Sequence, residues 1–193
     1  MTEPTASEHR RAARPEERSE RGGEPTLKVD PGPLATVHAE DTTLVFVRNL
    51  RQSPERVWAA LTEPDRVCAW APYEVDRDLG TPGPATLTMI DGDTRTPLDG
   101  TVHRAERPTV LEHAFGTDRL RWDLEPVDDG TRLTLRHTVD DPDLLPKVAA
   151  GWHLCLVVAQ RLLDGDPIPV IRGQAAMSYG WQELNDAYQK ELG

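Results

Sequence analysis

A long apolar-striped run from Leu144 to Leu163, with Gly151 and Trp152 near its middle, constrains the fold of this chain more than any other segment. Apolar residues recur there at the three- and four-residue spacing that places them on one face of an α-helix. The stripe comprises Leu145, Val148, Trp152, Cys155 or Leu156, Ala159 and Leu163. The run follows a series of strand-like segments. Many strands closed by one long helix predict a sheet that curls around the helix and leaves a pocket between them.

The strand-like segments are separated by turn chemistry. Thr42–Leu50 is rich in β-branched and apolar residues, and Thr86–Ile90 runs into the hairpin signal Asp91-Gly92-Asp93. Gly100 interrupts the returning strand, which predicts a bulge where the sheet bends. Further strands are predicted at Val110–Gly116, Arg119–Pro126 and Thr131–Val139. Apolar and charged residues alternate in the last two, which predicts an antiparallel sheet with one buried face.

Helices are predicted on either side of these strands. Ser53 as N-cap and Pro54 at the first helical position begin a short helix after the first strand. A second short helix is predicted at Asp65–Trp70, and Asp164-Gly165 stops the long helix. A last helix is predicted over about Gln174–Leu192, with an apolar side formed by Met177, Trp181, Leu184 and Tyr188.

Composition limits the partners and the compartment. Residues 1–35 hold almost no large apolar side chains, which predicts a disordered tail. The net charge of −11 argues against nucleic acid, which requires clustered Lys and Arg. No apolar run approaches the roughly 18 residues of a membrane span, and the N-terminus lacks the apolar core of a signal peptide. Cys68 and Cys155 are read as reduced core residues, which predicts a cytoplasmic protein.

Several motifs together resemble a known family. They are Ser53–Pro64 (SPERVWAALTEP), Trp70, Pro97–Gly100, Glu106–Pro108, Asp129–His137 and Gly151-Trp152. In this order they resemble the START-like superfamily and, within it, the SRPBCC group whose namesake is the activator of the heat-shock-protein ATPase. The resemblance implies an α+β helix-grip fold, in which a curved antiparallel sheet wraps round a long C-terminal helix and two short helices follow the first strand. It implies such a domain at residues 42–165, with 166–193 as a helical extension.

His113 departs from the family pattern. Where the family has a run that ends in Phe-Thr-Trp, this chain reads Leu111-Glu112-His113-Ala114-Phe115. Alternation groups His113 with Leu111 and Phe115, so its side chain is predicted to point inward. An inward histidine can exchange protons near neutral pH, or it can be a neutral core residue hydrogen-bonded to a carbonyl or water.

His137 is the second histidine predicted on an inner face. It too can be either a proton-exchanging group or a neutral core residue. A three-histidine zinc site would also need His103, which is predicted to face away, so no metal site is predicted. No Ser-His-Asp spacing, phosphate-cradling glycine loop or paired-cysteine motif is found, and no cofactor is predicted.

Aromatic side chains form the other candidate group. Trp58 and Trp152 are assigned mainly to packing, whereas Trp122 and Tyr73 fit packing and pocket lining equally. The predicted ligand-binding residues are Trp70, Tyr73, Met89, His113, Phe115, Trp122, His137, Trp152 and Leu156.

Three functions remain open from the sequence, and no catalytic residue is assigned. The preferred one is binding of a small hydrophobic molecule between the sheet and the long helix. The second is a polyketide cyclase- or dehydratase-like enzyme with His113 as acid or base. The third is a chaperone-regulating interaction module with a protein partner.

Overall fold

Strands are the most numerous elements among the described residues. The structure is a computed structural model that describes residues 36–193, so the predicted disordered tail (1–35) lies outside the described residues. The strands of the described part are β1 (Thr36–Glu40), β2 (Thr43–Leu50), β3 (Tyr73–Val75), β4 (Thr86–Asp91), β5 (Thr94–Asp99), β6 (Val102–Glu106), β7 (Val110–Phe115), β8 (Asp118–Val127) and β9 (Gly130–Thr138). The helices are α1 (Pro54–Thr62), α2 (Pro64–Val67), α3 (Leu145–Asp164) and α4 (Trp181–Leu192), with 3-10 segments at Pro142–Leu144 and Gly173–Tyr179.

These strands form two antiparallel sheets instead of one meander. The larger has the order β1-β2-β9-β8-β7-β6, and the smaller has the order β3-β4-β5. The chain passes from the smaller sheet to the larger at Gly100, where an added Cβ would lie 2.6 Å from Leu87 Cγ. Glycine is therefore required there by the close approach of the backbone. The predicted interruption at Gly100 is confirmed, but the register irregularity itself falls between Val102 and Arg104.

The larger sheet is curved and has one buried face, and with α3 it confirms the predicted α+β helix-grip fold. Leu120, Trp122 and Leu124 are buried, while Asp123 lies on the opposite face. There the carboxylate of Asp123 forms ion pairs with Arg121 and Arg136, with N–O distances of 2.8 and 2.6 Å. The alternation seen in the sequence therefore selects which face meets the helix.

One strand precedes those that the sequence predicts. β1 pairs with β2 over its whole length, from Thr36 opposite Val47 to Glu40 opposite Thr43. The two short helices consequently follow the second strand, not the first. β1 gives little sequence signal because Val37 is its one buried residue, as is common for an edge strand. Pro54 begins α1 as predicted, whereas α2 is shorter than predicted, because turns replace helix from residue 68 onward.

α3 is buried around more of its circumference than one stripe. The predicted stripe is buried apart from Val148, which is half-buried. His153, Leu154 and Val158 on other faces are also buried, because α4 packs along α3. Among residues 36–193, no helix combines the length and the apolar character that crossing a bilayer requires.

The C-terminal region is two segments, so the single predicted helix over 174–192 is wrong. Gly180 separates them with a φ of +83°, a left-handed conformation that glycine adopts without steric cost. In α4, Leu184 and Tyr188 are buried as predicted, but Met177 in the 3-10 segment is 49% exposed. The break at Gly180 turns Met177 away from the apolar side of α4.

Arg172 fastens this C-terminal region to the rest of the fold. Its Nε donates to the carbonyl oxygen of Ala71 at 3.0 Å, and its Nη2 donates to that of Cys68 at 2.6 Å. Two residues later the backbone N–H of Gln174 donates to Asp91 Oδ1 at 2.9 Å. The segment that follows α3 is therefore held against both the turn after α2 and the smaller sheet.

Replacing Arg172 by methionine is expected to destabilise the protein by about 2 kcal/mol, the usual size for hydrogen bonds from a charged donor. Urea unfolding followed by circular dichroism measures this. Arg161→Met is the control, because Arg161 is exposed and pairs with exposed Asp166, so its loss should cost under about 0.5 kcal/mol. Equal losses in the two variants would contradict the anchoring role of Arg172.

Candidate functional site

Aromatic rings from both sheets and from α3 meet on the inner face of the larger sheet. Trp152 of α3 lies 5.3 Å from Trp122 and 6.4 Å from Phe115 between ring centroids. Phe115 in turn lies 5.7 Å from Tyr73 of the smaller sheet. We call this group the aromatic cluster; its members are Trp70, Tyr73, Phe115, Trp122, His137 and Trp152. Six of the nine residues predicted to bind a ligand are thus brought together.

His113 lies on the same face of β7 as Phe115, two residues away, and is fully buried. Its Nδ1 lies 2.8 Å from the carbonyl oxygen of Ala114, and because a carbonyl only accepts, Nδ1 carries the proton. Burial, with smaller contributions from nearby His103 and His137, lowers the pKa of His113 to about 4 despite the opposing hydrogen bond to Ala114. The ring is therefore neutral, and Nε2 presents a lone pair. No group of the described residues donates to Nε2, which is buried.

His137 is fully hydrogen-bonded, in contrast to His113. The indole Nε1 of Trp152 donates to His137 Nδ1 at 2.9 Å, so His137 carries its proton on Nε2. That Nε2 donates to Asp118 Oδ2 at 2.9 Å. Burial lowers the pKa of His137, although Asp118 acts in the opposite direction. Both ring nitrogens are occupied, so His137 orients Trp152 and has no free position for a ligand.

The surroundings of Trp70 are tightly packed. Trp70 packs edge-on against Trp122 with centroids 6.0 Å apart, and its Nε1 donates to the carbonyl of Ala60 at 2.8 Å. Trp70 and Leu156 line an apolar slit between α1, β9 and α3 whose volume is about 10 Å³. That is about the least space that holds one water molecule. This slit therefore has no room for a ligand.

The seam between the smaller sheet and β7 is the place where the aromatic cluster comes nearest to solvent. Phe115 and Met89 are half-buried there, and Met89 pairs with Tyr73 across β3 and β4. Leu98 of β5 closes the same seam, since its Cδ2 lies 3.7 Å from the Cβ position of Gly116. These side chains are apolar and half-buried, so the seam is the most exposed edge of the cluster.

The remaining predicted residues have other surroundings. His103 is exposed, as predicted, and within residues 36–193 no three His, Cys, Asp or Glu side chains converge in a metal-binding group. Cys155 is buried, and burial raises the pKa of its thiol to about 12. Cys68 is half-buried, not a core residue, and its thiol donates to the carbonyl of Asp65. Trp58 is buried and packs in the core, as predicted.

Three features were missed by sequence reasoning. His153 is buried on α3 with Nδ1 2.7 Å from the hydroxyl of Tyr188, and the single-stripe interpretation of α3 left it outside the core. Arg48 occupies a core-facing position of β2, although its place two residues after Phe46 indicates that face. A surface cleft of about 210 Å³ also has no local sequence signal; it is lined by Trp58, Thr62, Glu63, Asp78, Gly80, Thr81 and Arg107.

Comparisons with known proteins agree with this fold. The family model described as Activator of Hsp90 ATPase homolog 1-like protein matches residues 51–163. No curated protein matches the chain. A conserved protein of unknown function from Enterococcus faecalis has a similar structure, with a TM-score of 0.60, 20% identity, and coverage of 81% of this chain and 89% of its own.

Two further solved structures are similar at the same level. CalU16 from Micromonospora echinospora gives a TM-score of 0.57 and 22% identity over 77% of this chain and 86% of its own. DynU16, a putative protein in the dynemicin biosynthetic locus, gives a TM-score of 0.59 and 22% identity over 70% of this chain and 52% of its own. At these identities the likeness concerns the fold alone.

Proposed function

This chain belongs to the family of Activator of Hsp90 ATPase homolog 1-like proteins, and from that premise we propose that it binds one small, mainly apolar molecule between the sheet and α3. The observation that carries the proposal is the buried Nε2 of His113, which has no donor among the described residues and lies on the face of β7 that carries Phe115. A buried acceptor without a partner costs about 1–3 kcal/mol. A ligand that donates a hydrogen bond to it removes that cost.

The chemistry of the site selects the kind of ligand. The aromatic cluster offers ring faces and edges, which favour a flat apolar body. Nε2 of His113 is an acceptor, so the ligand's polar group must be a donor such as a hydroxyl or an N–H. A carboxylate is disfavoured because the neutral lone pair repels it. The proposed ligand is therefore a neutral aromatic or alicyclic molecule with a hydroxyl or N–H group.

Entry requires side chains to move. The proposed route is the seam between the smaller sheet and β7, where Phe115 and Met89 are half-buried. Rotation of Phe115 away from Tyr73 and Trp152 would open space beside both rings. The closed arrangement is then the ligand-free state, and binding replaces contacts of Phe115 with contacts of the ligand.

Catalysis by His113, the cyclase- or dehydratase-like alternative, is the second candidate. DynU16, a putative protein in the dynemicin biosynthetic locus, keeps this alternative open only at the level of the fold. The pKa of about 4 makes Nε2 of His113 a weak base, about 3 kcal/mol less favourable to protonate than an ordinary histidine. Efficient general bases have a pKa near the working pH, so binding ranks above catalysis.

Regulation of a chaperone is the third candidate. An interaction module needs an exposed apolar patch. Among residues 36–193, the large apolar side chains that are exposed are Leu144 and Met177, from different segments. This surface favours a ligand-binding role over docking.

The free thiols of Cys68 and Cys155 fit the cytoplasmic location that forms part of the proposal.

The test compares two probes of nearly equal shape, 2-naphthol and 2-methylnaphthalene, by equilibrium dialysis. The preference of the wild type for 2-naphthol is expected to fall about tenfold in His113→Phe, because one buried hydrogen bond contributes roughly 1.4 kcal/mol. His103→Phe, at an exposed position, is the control and should keep the preference. If neither probe binds, the proposed function is wrong. If both probes bind and His113→Phe keeps the wild-type preference for 2-naphthol, the proposed role of Nε2 is wrong.

A further inference from the structure

Arg48 places a guanidinium group on the core-facing side of β2. Leu44, Phe46 and Leu50, which alternate with it along the strand, are all buried on that side. The guanidinium carbon of Arg48 lies 5.8 Å from the centroid of the Phe46 ring. Arg48 is half-buried and lies in a seam between β2, α3 and α4, apart from the aromatic cluster.

Most of the donors of this group have no partner. Nη1 donates to Oε1 of Gln160 over a long 3.4 Å. Nε and Nη2 are buried, and no group of residues 36–193 accepts from either. These two atoms share one edge of the planar guanidinium, where their N–H bonds run parallel. Burial lowers the pKa of Arg48, with a smaller opposing effect from Tyr188. A cation in this setting requires a compensating anion.

A second unmatched polar atom lies on α4. Oδ1 of Asn185 is buried and accepts from no described group. Asn185 precedes Tyr188 by three residues, so both lie on one face of α4, and Tyr188 is close enough to Arg48 to influence its pKa. α4 therefore carries a buried, unmatched acceptor on the face that also carries Tyr188.

We propose that the seam between β2, α3 and α4 is a carboxylate-binding site, in which Nε and Nη2 of Arg48 hold the two oxygens of one carboxylate. The parallel donors match the spacing of carboxylate oxygens, which a single-point ammonium does not. The carboxylate has two possible sources, a small organic acid or one of the seven acidic side chains among residues 1–35. This site is independent of the aromatic cluster and of the ligand proposed there.

The first arm uses urea unfolding of the full chain in sodium acetate, compared with acetamide plus sodium chloride at equal ionic strength. At about ten times the acetate dissociation constant, the folded-to-unfolded ratio of the wild type is expected to rise about tenfold. Arg48→Met should not respond, and in acetamide it should be at least as stable as the wild type, since a buried unpaired charge has been removed. Arg119→Met, at an exposed arginine paired with Glu112, should keep the acetate response.

The second arm distinguishes the sources. A full-length variant with all seven acids of residues 1–35 changed to their amides is unfolded in the wild-type and Arg48→Met backgrounds. A loss of stability that occurs only when Arg48 is present identifies an internal carboxylate. An acetate response with no such loss identifies a small acid. If acetate acts equally on the wild type and Arg48→Met, and the amide changes act equally in both backgrounds, the carboxylate site is refuted.

Discussion

Replacing Trp152 by alanine is expected to destabilise the protein by about 3–5 kcal/mol, the range for emptying a buried tryptophan site. The indole is 4% exposed and packs edge-on against Trp122, while Phe115 and His137 enclose it on other sides. Its removal also leaves Nδ1 of His137 without its donor. Because domains are stable by only about 5–15 kcal/mol, the variant should lie near the limit of folding.

Urea unfolding followed by circular dichroism measures this loss, and two variants separate its causes. Trp152→Phe keeps most of the packing but removes the indole N–H, so about 1–2 kcal/mol is expected from the lost hydrogen bond. Trp181→Ala, at a partly exposed tryptophan of α4, should cost less than Trp152→Ala. A loss below about 1 kcal/mol in Trp152→Ala would show that the indole does not occupy this buried position.

The parts of the fold that were predicted are those with a local physical signal. The stripe along α3 and the alternation in β8 and β9 are periodic patterns, because each buries one face. The division into two sheets was not predicted, since it depends on which strands pair across the chain. Nothing near Gly100 in the sequence distinguishes a bulge from a passage between sheets. That distinction comes only from the close approach of Leu87 to Gly100 in the folded chain.

The candidate site shows the same division between local and non-local information. Alternation along β7 correctly placed His113 inward, beside Phe115. His137 is fully hydrogen-bonded, whereas Nε2 of His113 has no donor among the described residues. This difference was not predictable, because it depends on Asp118 and Trp152, which are distant in sequence from His137. The tight packing around Trp70 likewise depends on how Trp70 and Trp122 meet, which no period in the sequence encodes.

Acidification is expected to reveal the neutral state of His113 as a loss of stability. The pKa of His113 is about 4 in the folded chain and about 6.5 when the chain is unfolded, so between these values the unfolded chain binds more protons. The stability contributed by the neutral ring is complete above pH 6.5 and is lost as the pH falls towards 4. From pH 7.5 to pH 5 the loss due to this residue should be about 2 kcal/mol.

His113→Asn provides the comparison, because its side-chain amide can donate to the carbonyl of Ala114 without titrating. Carboxylates and His137 titrate in both proteins, so their contributions cancel in the difference between wild type and variant. Urea unfolding at pH 7.5 and pH 5 should show the wild type losing about 2 kcal/mol more than His113→Asn. An equal loss would mean that His113 keeps an ordinary pKa. Its Nε2 would then be exposed to solvent or already hydrogen-bonded, and a ligand would have no unmatched acceptor to satisfy.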